Sequence, residues 1–141
     1  MYASAKLKSE NIVGYLLYMW QVEDIIRANS LDIDKINDTY ISRFDLSDEQ
    51  RMSMRQWYID LIEMMRSEDV VQSGHLQINK NIIILLTDLH TELLKSPKHP
   101  FYSAAYYKVL PFIVEIRNKG NVTDKPELEN CFDALYGFTA L

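Results

Sequence analysis

Glu23 is the residue of this 141-residue sequence that asks most of its surroundings. At 100° per residue it falls in the middle of an apolar stripe made by Ile12, Tyr15, Leu16, Met19 and Ile26. A carboxylate there must be paired, hydrogen-bonded or neutralised. Arg27, at i+4 and about 40° around a helix, is the expected partner. A structural ion pair at the rim of the core satisfies that demand. A functional role is the alternative, because perturbed carboxyls cluster at working sites. His90 is second: it lies between two apolar strips of its helix, with Asn79 near the same line. A neutral imidazole there can serve as a base, as a ligand or as a satisfied core histidine.

The templates that would turn these residues into a centre are missing. Di-iron bundles need Glu-x-x-His on two helices, and zincins need His-Glu-x-x-His; neither is present. Asp60 and Glu63 share a helix face, the kind of acidic pair that binds divalent metal when a second pair faces it. No second pair is evident, since Asp88 and Glu92 share a polar face with Lys95, so solvated faces explain both sets. One cysteine, Cys131, excludes an internal disulfide and a multi-cysteine zinc site. Four scattered glycines cannot build a phosphate-cradling loop. No metal and no cofactor is therefore expected. Pro111 frees the carbonyl of Tyr107 within an aromatic helix, which suggests a kink or a polar notch.

The elements that must position these side chains are helices. Gly and Pro together make 8 of 141 residues, too few for a sandwich or barrel of many short strands. The first helix is expected from about Ser9, as N-cap, to Asn29; a short acidic one covers 32 to 43. Ser47-Asp48-Glu49-Gln50 matches a capping box, and the stripe Met54, Trp57, Tyr58, Leu61, Met65 follows it until Ser73-Gly74. A fourth helix, about 76 to 95, carries Ile78, Ile82, Leu85, Leu86, Leu89 and Leu93, and Pro97 and Pro100 end it. The fifth, 101 to 119, has the two-sided pattern of Tyr102, Tyr106, Val109, Phe112, Ile113 and Ile116. Pro126 opens a last helix burying Leu128, Cys131, Phe132 and Leu135, before the apolar end at Leu141. With no repeat or linker, residues 1–141 are expected to form a single all-α domain, a bundle of five or six helices. Those over 76–95 and 101–119 should be its central helices.

Bulk properties exclude several function classes. Net charge is −5, and residues 1–70 hold 8 basic against 13 acidic side chains, while 71–141 hold 7 of each. Nucleic-acid binding needs a Lys/Arg face that this balance does not supply. The longest aliphatic run, Ile82 to Leu86, is far too short for a membrane span, and no signal-like segment opens the chain. Without a signal, the sequons Asn37-Asp38-Thr39 and Asn121-Val122-Thr123 carry no weight. A cytoplasmic protein is the expectation.

Several long strings carry a resemblance: ENIVGYLLYMWQVEDIIRAN (10–29), GHLQINKNIIILLTDLH (74–90), PFYSAAYYKVLPFIVEIRNK (100–119) and CFDALYG (131–137). Over nearly its whole length the chain resembles an uncharacterised protein family of Bacteroidetes, domain of unknown function 4924. The resemblance implies a bacterial, cytoplasmic, all-helical protein and brings no activity, cofactor or catalytic residue. Two functions stay open. One is a non-catalytic interaction module, self-associating as a homo-oligomer through aromatic and Met-rich helix faces. The other is a small-molecule or enzymatic pocket between the first, fourth and fifth helices, built from Trp20, Glu23, Arg27, His90 and Tyr106.

Overall fold

In a computed structural model, which describes residues 2–120 and 125–139, every regular element is a helix. The sequon at 121–123 and the apolar end at Leu141 lie outside the described residues. The order is α1 (Tyr2–Glu10), α2 (Ile12–Ala28), α3 (Ile33–Thr39), a 3-10 turn (Ile41–Arg43), α4 (Asp48–Ser67), α5 (Gln77–Lys95), α6 (Pro100–Gly120) and α7 (Glu127–Thr139). None of these helices is long and apolar enough to cross a membrane.

Seven helices replace the expected five or six because the N-terminal segment breaks once. Asn11 leaves helical backbone (φ −151°), and its side chain accepts the Gly14 N–H, so α2 starts on an Asn cap. Ser9, the expected cap, instead lies in the last turn of α1 with its hydroxyl on the Lys6 carbonyl. Gly14 makes the cap fit: a Cβ there would stand 2.8 Å from the Asn11 amide nitrogen. The capping box of α4 forms as read from the sequence. Ser47 Oγ accepts the Gln50 N–H at 3.1 Å, and Gln50 Oε1 accepts the Ser47 N–H at 3.0 Å. The end of α4 comes earlier than Ser73-Gly74. Asp69 adopts the left-handed region (φ 56°), and the Val70 N–H returns to the Met65 carbonyl, closing the helix with a Schellman-type bond that needs no glycine.

Packing organises the chain into two compact units, Met1–Lys80 and Asn81–Leu141. The boundary falls inside α5, so no linker composition marks it. In the first unit α1 packs on α2 and α3 on α4. Its core is built from Leu16, Met19, Trp20, Val22 and Ile26 of α2 against Tyr58, Leu61 and Met65 of α4, with Ile36, Ile41 and Leu76 filling in. Arginines close the loop ends. Arg51 donates to the carbonyls of Ile41 and Phe44, and Arg66 to that of Leu31. In the second unit α6 packs on α7, and Ile82, Ile83, Ile113 and Phe132 are its buried hydrophobics.

Burial is uneven among the helices, and those over 76–95 and 101–119, expected to be central, differ in this from α2. The most completely buried helix is α2, with seven buried residues, whereas α6 buries Ile113 alone among its described residues. Two-sided apolar patterning was the basis of that expectation, and such patterning cannot distinguish a helix covered on two sides from one that leaves an apolar side open. Replacing Ser47 with Ala removes the α4 cap; urea denaturation should register a loss of about 1 kcal/mol with an unchanged m-value.

Candidate functional site

The carboxylate of Glu23 is completely buried, as the stripe requires, but Arg27 is not its partner. Its ligands come from the start of α5. Asn79 Nδ2 donates to Oε1 at 3.0 Å, the Leu76 backbone N–H donates to Oε2 at 3.3 Å, and His75 Nδ1 lies 3.3 Å from both oxygens. The imidazole of His75 stacks on Trp20 with centroids 4.3 Å apart and planes 11° from parallel. The reason lies in the sequence of α5. Its N-cap position is Leu76, whose carbonyl accepts the first helical bonds but whose side chain cannot cap. Glu23 and Glu68 supply the missing acceptors, Glu68 Oε1 taking the Gln77 N–H at 2.7 Å. Both carboxylates also meet the positive end of the helix. A buried charge with three donors and a helix terminus is a structural solution of high quality.

Arg27 serves the preceding turn instead. It donates to the carbonyls of Val70, at 2.9 Å, and Gly74, and meets the Asp24 carboxylate at 3.5 Å. Gly74 sits at φ 91°, a conformation that favours glycine, so the arginine clasps a turn whose course is already restricted. Trp20, Glu23 and Arg27 therefore organise the 70–79 segment of the first unit.

His90 and Tyr106 belong to a different constellation, inside the second unit. A cleft of about 240 Å³ is lined by His90 of α5, Tyr102, Tyr106 and Ile113 of α6, and Glu127 and Cys131 of α7. His90 Nδ1 is hydrogen-bonded to the Tyr102 hydroxyl. The His90 ring stands edge-to-face with Tyr102 (5.5 Å) and Tyr106 (5.1 Å). Tyr106 donates its hydroxyl to Glu127 Oε1 at 2.7 Å. That bond, with burial and the carboxylate's charge behind it, pushes the Tyr106 phenol up to about 12. Burial, then the neighbouring Cys131, raises Tyr102. The thiol of Cys131 is raised by burial and by Glu127 against the opposing pull of Arg117. Phenols and thiol thus keep their protons near neutrality, and the cleft holds no activated nucleophile. Among the described residues no three His, Cys, Asp or Glu side chains gather as a metal ion would need.

By their partners, the five residues expected to share one pocket divide into Trp20, Glu23 and Arg27 around the 70–79 segment and His90 with Tyr106 in the α5–α7 cleft. His75, Asn79 and Glu68 were missed as partners of this arrangement. One signal pointed to them: a helix beginning at Leu76 with no Ser, Thr, Asp or Asn at its cap demands an acceptor from elsewhere. Glu127 and Cys131 were legible only as first-turn and apolar-face residues of the last helix.

The chain belongs to the family described as a domain of unknown function (DUF4924), whose model matches residues 1–141. No curated protein and no solved structure matches it.

Truncating Glu23 to Ala leaves the Leu76 N–H and the Asn79 amide without their acceptor in a dry site. The expected loss is about 3 kcal/mol by urea denaturation, and a loss within about 0.5 kcal/mol would mean the carboxylate is solvated. The folded-state pKa of Tyr106 is raised above its unfolded value of 10.0, so its contribution to stability is complete below that value and is lost as pH rises through about 12. In an alkaline titration followed by tyrosinate absorbance, Glu127→Gln should bring one phenol down toward the ordinary range. The late-ionising Tyr18, held up to about 12 chiefly by burial, should stay unchanged.

Proposed function

We propose that this member of the family is a non-catalytic interaction module that self-associates through the apolar faces of its second unit. The observation that carries the reading is the uneven distribution of exposed hydrophobic side chains. On α5, Leu85 is 68% exposed; on α6, Phe101 is 88% and Phe112 65% exposed; on α7, Phe138 is 75% exposed. Among the described residues of the first unit, Phe44, Met52 and Ile78 are the large hydrophobics left exposed. Phe101, Val109, Phe112 and Ile116 fall within an arc of about 80° of α6, forming one continuous stripe rather than scattered positions.

Surface of this kind rarely persists on a monomer. Side chains this large and this open present on the order of 700 Å², close to the ~800 Å² each partner contributes to a standard interface. A second copy is the occupant that charge favours. Residues 81–141 hold 6 basic and 7 acidic side chains, so two such units meet with little net repulsion, while residues 1–80 hold 9 and 13. A twofold contact repeats the same stripe on both sides and closes. The stripe is aromatic and aliphatic rather than Met-rich, since Met19, Met54 and Met65 are spent in the first unit's core.

Light scattering at tens of micromolar should return twice the monomer mass. Phe112→Glu should return the monomer mass with unchanged helical circular dichroism, because an exposed side chain contributes little to the fold. A strict monomer for the unaltered chain at that concentration contradicts the reading.

A further inference from the structure

The cleft of the second unit has a composition that self-association does not use. Three aromatic rings, His90, Tyr102 and Tyr106, converge on a space of about 240 Å³ whose remaining walls are largely aliphatic. Among the described residues the lining includes one carboxylate, Glu127, and no lysine or arginine. Glu127 lies in the first turn of α7, and Tyr106 donates to one of its oxygens. The Tyr102 hydroxyl is hydrogen-bonded to His90 Nδ1, which ties two of the rings together. The result is a small, largely apolar, aromatic cleft with a carboxylate at its edge, one oxygen of which Tyr106 engages.

Aromatic faces attract cations through the ring quadrupole, and a desolvated, weakly hydrated ammonium gains most from such a site. An inorganic cation would need several oxygen ligands that the lining does not offer. A neutral apolar ligand would draw nothing from the carboxylate. We propose that this cleft binds the head group of a small organic cation, an ammonium bearing methyl or other apolar substituents, with His90, Tyr102 and Tyr106 as walls and Glu127 as countercharge. The volume lies below that of a drug-sized pocket, which suits a head group rather than an extended ligand.

The probe is choline, titrated into the full chain and followed by NMR at the cleft residues, with 3,3-dimethylbutan-1-ol as its neutral isostere. Choline is expected to shift the Tyr102, Tyr106 and Cys131 resonances saturably and to bind at least about fivefold more tightly than the isostere. Glu127→Gln should remove most of that preference while leaving the neutral alcohol's weak binding unchanged. A phosphocholine-headed micelle, as a separate arm, binds more tightly than choline if the head group belongs to a lipid, and no more tightly if the cation is free. Equal affinity for choline and its isostere overturns the proposal, as does an absence of saturable shifts at the cleft. So does an undiminished charge preference in Glu127→Gln.

Discussion

A carboxylate removed completely from water governs the first unit. Glu23 sits on the inner stripe of the most buried helix, and nothing on α2 itself answers its charge. The answer comes from more than fifty residues away in sequence, where α5 begins without a capping side chain. Each feature alone would be a defect: a buried charge costs several kcal/mol, and an uncapped helix start leaves N–H groups unmatched. Together they cancel, and the cancellation fixes where the chain between α4 and α5 must lie. His75 then stacks on Trp20, and Arg27 gathers the carbonyls of the turn just before.

This arrangement gives ionisable residues of α2 a place in the fold. Glu23 has its hydrogen-bonding capacity taken up by one backbone donor and two side chains, and it faces a helix end that favours its charge. The second unit is organised differently. Its buried hydrophobics are few, its helices keep large apolar side chains open, and its polar groups line a cleft. The family assignment, a domain of unknown function, covers both units, residues 1–141.

What could be read from the sequence follows the range of the interactions involved. The Ser47–Gln50 capping box and the α4 stripe are local patterns, and they appear at the expected residues. The all-helical class follows from periodicity and scarce turn residues, which are also local. The burial of Glu23 was legible for the same reason, because its stripe is a property of one helix. Its partners were not, because Arg27 at i+4 was the nearest cation, and spacing within a helix says nothing of a backbone N–H at Leu76. Two chain breaks were hidden by residues that tolerate uncommon backbone: Asn11 capping across Gly14, and Asp69 in the left-handed region where glycine was expected.

Amide hydrogen exchange at Leu76 tests the governing interaction most directly. The first N–H groups of a helix have no intrahelical acceptor and ordinarily exchange rapidly. Here the Leu76 N–H donates to a carboxylate sealed in the core. It should exchange as slowly as the α2 amides of Met19 and Ile26, through the same opening of the unit. Exchange of Leu76 at the rate of an exposed helix terminus, with those α2 amides protected, would contradict the claim that Glu23 holds the start of α5.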